Sequence, residues 1–468
     1  MNHLQKKTLH TVISNINTVN EGITMRKTVI LYQDRIQDII DPNDEKDYLN
    51  HHHIKHYLCY SSDGLLLPGV IDTHVHFRQP GYAYKAGWKS ESHAAAAGGV
   101  TTVFDMPNTK PLTDSLLHWK QKMKLAEKNS IVNYAAFYGA TNTNTDTFSK
   151  IDRSLTPGIK LFMGSSTGNM LVNSNDALSA IFRKAHLPIV AHCEDPEVIA
   201  HNSHHVLEQY GKDADVSLHS LIRNEESCLR STKQAISLAL KNHARLHVAH
   251  VSTARELDLI AQAGSLVTAE VCLPHLLFCN EDYAQLGARI KCNPAVKTRA
   301  DHDALLQALS DDRIYTIATD HAPHLLREKQ GGCFQAVSGM PMVQFSLPAM
   351  LTLADEGVIS IPQLVRLMCH HPAQLFNVRN RGFIRKGYKA DLVIVEPEKN
   401  MVLKKDILSK CKWSPMEGRE LGWKVRNTFV NGVCIYSNEA EGKRFLNEEL
   451  HSEPVGFYKT RPFAPSHA

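Results

Sequence analysis

Apolar positions fall in short runs along the chain, and the texture between the runs changes twice. Near the start, TVISNINTVN (11–20) and KTVILYQDRIQDII (27–40) carry short alternating segments separated by turn residues, the pattern of strands in a small sheet. A polar stretch follows, from Asp41 to Gly64. Near the other end, KGYKADLVIVEPEKN (386–400) and VRNTFVNGVCIY (425–436) repeat the strand-turn-strand texture, with Asn431-Gly432 as a strong hairpin signal. Two β-rich ends around a different middle predict one discontinuous domain, a small β-sandwich built from residues 1–66 and 379–468.

The middle alternates apolar runs with helix-like stretches such as DSLLHWKQKMKLAEKNS (114–130), which implies βα units and a parallel sheet. Eight runs stand out: LLLPGVIDTHVHF, GVTTVFDMPN, IVNYAAFYGA, PGIKLFMGSS, LPIVAHCED, ARLHVAHVS, SLVTAEVCLPH and RIYTIATDHAPH. Eight strands in about 310 residues is the count of a (β/α)8 barrel with insertions, so the expected fold is α/β, with a TIM-like barrel over residues 67–378. A doubly wound open sheet is the alternative, but no GxGxxG opening is present.

Composition adds exclusions. The chain has 468 residues, 43% hydrophobic and 21% charged, with a net charge of +4 and no basic block, so nothing predicts nucleic-acid or membrane-surface binding. No apolar run reaches a membrane span and the first residues are too weakly apolar for a signal peptide, which predicts a cytoplasmic protein. Ten cysteines are scattered singly without a CxxC pair and are expected to be reduced thiols. Histidine is abundant, at 27 residues, and is both the commonest metal ligand and the usual neutral-pH proton carrier. Some, such as His51, His52 and His53 in a polar stretch, read as ordinary surface residues.

Position is more informative than abundance. In such a barrel the chemistry lies at the C-terminal ends of the strands. The first run ends in His74-Val75-His76, where residues i and i+2 share a strand face and both imidazoles can reach one metal. Lys160 lies inside the fourth run, His192 ends the fifth, His250 the sixth, and Asp320 the eighth, followed by His321 and His324. A lone strand-end histidine is usually structural. Four histidines and an aspartate at one end of four strands place N and O ligands where a hydrolytic zinc site needs them. Lys160 fits this badly as an ammonium, which would be repelled by a dication.

The ordered set PGVIDTHVHFRQPG, AAAAGGVTTVFDMPNT, GIKLFMGSSTGNML, VAHCED, HVAHVST, KCNPAVK and IATDHAPH resembles the amidohydrolase superfamily, and within it most closely the dihydroorotases. KGYKADLVIVEP and WSPMEG extend the resemblance over nearly the whole chain. The resemblance implies two zinc ions per subunit, one held by His74, His76 and Asp320 and the other by His192 and His250, bridged by N6-carboxylated Lys160. It implies that Asp320 is also catalytic, accepting a proton from a zinc-activated water and returning it to the leaving ring nitrogen. Arg78, Asn108, Asn293 and His324 are the implied contacts to a small-molecule substrate, dihydroorotate or N-carbamoyl-aspartate, in pyrimidine (UMP) synthesis. A homodimer is the implied assembly.

Allantoinase or another cyclic amide or ureide hydrolase is the alternative activity, disfavoured by the pairing of Arg78 with Asn108. A non-catalytic scaffold would lack ligands, whereas all six positions are filled. His275, in CLPHLLF, has no assigned role. LLREKQGG (325–332), within a candidate lid over 325–333, reads equally as a mobile lid or a surface loop. GSSTGN (164–169) lacks the GKS/T ending of a phosphate loop and is expected to be a turn that shapes the site.

Overall fold

The computed structural model describes residues 9–164, 170–438, 445 and 451–459. Beyond Gly164, the GSSTGN turn lies outside the described residues. The middle of the chain forms the expected ring of parallel strands, at Val70–Val75, Val100–Asp105, Asn133–Ala136 continuing as Tyr138–Gly139, Ile159–Phe162, Ile189–His192, Leu246–Val248, Val267–Cys272 and Thr316–Ala318. The third strand joins both halves, since Asn133–Ala136 pairs with the second strand and Tyr138–Gly139 with the fourth. The ring closes where Val75 bridges His321, His76 N donates to His321 O at 2.8 Å, and Thr319 Oγ1 donates to Asp72 at 2.6 Å.

The two ends of the chain form one eight-stranded sheet. Its order runs Val433–Ser437, Glu420–Val430, Leu392–Met401, Leu65–Pro68, His10–Asn20, Ile23–Tyr32 and Arg35–Ile40, with Tyr57–Ser61 pairing to His10–Asn20. Strand periodicity sends alternate residues to opposite faces. Leu392 and Ile394 therefore pack with Ile13, Val29 and Phe429 in the sheet's own core, while Val393 and Val395 join the large core shared with the barrel. Asn431 (φ 48°) and Gly432 (φ 79°) make the hairpin turn the sequence signals, and a Cβ at Gly432 would meet Gln33 O at 2.0 Å.

Residues 451–459 return to the barrel, where Val455 and Phe457 pack with Ile71, Phe104, Phe137 and Phe376. Phe376 and Phe457 also line a cavity with Pro157, Pro188 and Arg245, which stand just before three of the strands, so this apolar floor lies toward the N-terminal end of the barrel. Asp391 connects the sheet to the third strand, accepting from Asn133 at 3.1 Å and from Asn431 N at 2.8 Å while paired with Arg381.

Candidate active site

At the opposite end of the barrel a pocket is lined by His74, His76, Arg78, Asn108, Phe162, His192, His250, Asn293, Asp320, Ala322, Ser338 and Gly339. All the metal ligands implied by the sequence converge here except that Lys160 lies just behind, its Nζ 5.2 Å from the Phe162 ring centroid. His250 and Asp320 sit two residues past the last paired residue of their strands, at φ 39° and 45°. They are thus not strand residues, and the left-handed backbone at each turns the chain just after its strand.

Hydrogen bonds assign the imidazole tautomers. His74 Nδ1 donates to Glu270 at 2.6 Å and His76 Nδ1 to Asn108 Oδ1 at 2.8 Å, which leaves both Nε2 lone pairs free. Those two atoms face Asp320 Oδ1 at 3.5 and 3.1 Å. Burial holds both rings below the ordinary histidine range, His76 well below it, so neither supplies a proton to the carboxylate. Three lone pairs thus meet with no donor between them, an arrangement that a cation satisfies.

The second pair of imidazoles is arranged similarly. His192 Nε2 donates to Glu194 at 2.9 Å, Glu194 pairs with Arg223, and His192 Nδ1 lies 2.9 Å from His250 Nε2. Despite its burial, Glu194 is held down at about 2 by Arg223 and His192. Among the described residues, His250 Nδ1 and Lys160 Nζ are buried without a hydrogen-bond partner. Burial also lowers Lys160 from the ordinary lysine value, against the pull of Glu270 and Asp320. An uncompensated buried polar atom is expensive, and the Lys160 amine beside this cluster leaves its hydrogen-bonding capacity unused.

The implied substrate contacts divide. Arg78, at φ 60°, is 4% exposed, and its Nε donates to Pro323 O at 3.0 Å while an NH2 lies 2.8 Å from His324 Nε2. Asn108 lines the pocket but also fixes the His76 ring. Asn293 lines it from the far side, its Oδ1 accepting from His219 at 3.1 Å. His275 does not line it. Its Nε2 donates to Pro294 O at 3.0 Å, and burial pushes the ring down to about 4, so it supports the Asn293-Pro294 loop from behind. His321 is also structural, donating to Glu91 at 2.9 Å and accepting from Met342 N and Val343 N.

The segment 325–333 is fastened rather than loose. Lys329 Nζ donates to the carbonyls of Lys291, Val337 and Gly339, and Lys291 Nζ to those of Cys333 and Ala336. The WSPMEG segment braces the same region, with Trp413 Nε1 donating to His324 O at 2.7 Å and Ser414 Oγ to Pro341 O at 2.8 Å. Sequence reasoning passed over Glu270, Glu194 and Lys85. A carboxylate inside the apolar VTAEVC strand and one at i+2 from His192 were the available signals for the first two.

Comparison with known proteins agrees with this geometry. Residues 65–435 match the model of the Amidohydrolase family. The chain belongs to the amidohydrolase family. It is 35% identical to a dihydroorotase of Halobacterium salinarum over 81% of this chain and 88% of that one. It is 29% identical to an allantoinase of Bacillus velezensis over 95% and 99% of the two chains. Among solved structures, the L-hydantoinase of Arthrobacter aurescens superposes with a TM-score of 0.87 at 25% identity, covering 95% of this amidohydrolase and 99% of that chain. No helix among the described residues is long and apolar enough to cross a membrane.

Proposed function

We propose that this amidohydrolase is a dihydroorotase that interconverts N-carbamoyl-L-aspartate and L-dihydroorotate. The curated relatives support the reaction. The observation that carries the substrate choice is the Arg78 guanidinium, buried in the pocket wall beside His324 and across from the imidazole cluster. A buried guanidinium suits a ring carboxylate, which dihydroorotate has and simple cyclic amides lack.

The donor set supports a pair of zinc ions, one that His74, His76 and Asp320 would hold and one that His192 and His250 would hold, with Lys160 as a carbamate ligand shared by both. Carboxylation joins the Lys160 Nζ lone pair to the carbon of carbon dioxide and releases one proton, converting a misplaced cation into an anionic two-oxygen ligand. Bound zinc supplies Lewis acidity toward the amide carbonyl and a water acidic enough to ionise near neutral pH. Asp320 Oδ1, between the His74 and His76 rings, would accept a proton from the water whose oxygen bonds to the ring carbonyl carbon, and would return it to the ring nitrogen as the C–N bond breaks. Arg78, Asn108, Asn293 and His324 orient the ring, with the carboxylate at the Arg78 end.

Allantoinase is the second reading, favoured by the relative that aligns over almost the full length of both chains. Turnover of dihydroorotate, allantoin and dihydrouracil by the zinc-loaded protein separates the two. Dihydroorotate is expected to be the best substrate, and equal or better turnover of either competitor rejects the assignment.

A further inference from the structure

Lys85 belongs to none of the motifs considered above, yet it touches His324, a fully buried imidazole that lies against the pocket-lining Arg78. Its side chain is 9% exposed, and Nζ contacts Glu328 at 2.7 Å on one side and His324 Nδ1 at 2.9 Å on the other. Glu328 is itself fixed by Leu325 N at 2.8 Å. On the opposite edge of the same imidazole, Arg78 NH2 lies 2.8 Å from Nε2. An ammonium and a guanidinium are donors only, while a neutral imidazole has one acceptor. Both contacts cannot be hydrogen bonds at once.

The surroundings decide which one is. Lys85 is anchored by Glu328 and has His324 Nδ1 within reach as an acceptor, whereas Arg78 is already held by Pro323 O and lines the pocket, where a ligand can take up its donors. Burial and the two cations keep His324 well below the ordinary histidine value, so its ring is neutral. Nδ1 then accepts from Lys85, and Nε2 carries the hydrogen. Nε2–H and the Arg78 NH2 are then two donors 2.8 Å apart that share no acceptor among the described residues. One carboxylate oxygen can accept from both.

We propose that Lys85 is a specificity-determining positioning residue: by donating to His324 Nδ1 it fixes His324 as a second donor, beside Arg78, for an anionic group on the substrate. Without Lys85 the ring is free to take the other tautomer and accept from Arg78, so that the pair satisfies itself and the anion loses both partners. This deepens the dihydroorotase reading and rests on it for the identity of the anion.

The test compares zinc-loaded wild type with Lys85→Met and Lys85→Arg. For Lys85→Met, KM for dihydroorotate is expected to rise on the order of ten- to a hundredfold with a much smaller change in kcat, the scale of a lost hydrogen bond to a charged group. The competitive inhibition constant of orotate should rise in parallel while that of uracil, the same ring without the carboxylate, moves by no more than about threefold, well below that scale. Lys85→Arg, which keeps the donor and the charge, should recover most of the loss. If Lys85→Met fails to fold, Lys85→Leu, which likewise offers no donor, is compared in the same way. Equal weakening of orotate and uracil, an unchanged KM, or no recovery in Lys85→Arg overturns the proposal. A wild-type enzyme that prefers another amide rejects the dihydroorotase reading instead, and the orotate-to-uracil ratio then still judges Lys85.

Discussion

The two ends of the barrel are built from the same strands and obey opposite rules. At the floor, Ile71, Phe104, Phe137 and Val190 pack with Phe376, Val455 and Phe457. Phe104 meets Phe137, Phe376 and Phe457 edge to face at 6.1, 5.3 and 5.6 Å between centroids, a geometry that adds to burial. Further toward the C-terminal ends, the strands or the turns just past them carry His74, His192 and His250, while Lys160, level with Val190, rises from the floor side; Lys160 Nζ and His250 Nδ1 are buried without hydrogen-bond partners. One end maximises apolar contact. The other leaves hydrogen-bonding capacity open, which costs stability in a metal-free chain and is regained only when something binds. Stability and chemistry are thus separated along each strand, as barrel architecture permits.

Substitutions at the two ends should therefore fail in different ways. Asp320→Asn should have the largest effect, lowering kcat by about 10²- to 10⁴-fold through loss of the proposed proton carrier. The fold should survive, because asparagine also tolerates the φ of 45° at this position. Near wild-type turnover would reject the role of Asp320. Phe137→Ala should cost about 3–5 kcal/mol of stability, read from denaturant midpoints, by emptying a fully buried floor position. Its KM should stay within about twofold of wild type, since floor packing contacts no substrate; a large KM change would show that the ends are coupled. Arg78→Ala should raise KM for dihydroorotate by about ten- to a hundredfold, with kcat less affected, and an unchanged KM would remove the carboxylate assignment.

This separation also explains what could be read in the sequence. Strand runs and the HxH pair are local patterns, and run and period alone put His74, His76 and His192 at strand ends, whereas the part assigned to Lys160 comes only from the family resemblance. His250 and Asp320 were found as well, but not their left-handed backbone, which no hydropathy pattern encodes. Glu270 and Lys85 matter because of what they touch across 196 and 239 positions of chain, His74 and His324 respectively. Such a role is defined only by the closed ring. Likewise, Val455 and Phe457 sit in a segment with no strand periodicity, and their place on the floor depends on the Phe104 and Phe137 surface already being there. Histidine abundance misleads for the same reason: His219, His247, His321 and His370 are buried and bond to protein groups near and far from the pocket.

The smallest effect gives the sharpest contrast between the ends. Lys160→Met replaces a fully buried, unpartnered amine with an apolar chain of similar length, next to the Phe162 ring. At the floor, every truncation should destabilise. Here, the metal-free variant should be more stable than metal-free wild type by about 1 kcal/mol, the low end of the cost of an unsatisfied buried group, because burial already favours the neutral amine. With zinc the order should reverse: the variant lacks the proposed bridging ligand, so metal analysis should find less zinc retained after dialysis and the zinc-dependent rise in unfolding temperature should shrink. Measuring both proteins with and without zinc separates the two terms. A metal-free Lys160→Met less stable than metal-free wild type would mean that Lys160 has a stabilising partner in the folded chain, and that the top of the barrel follows the same packing rule as its floor.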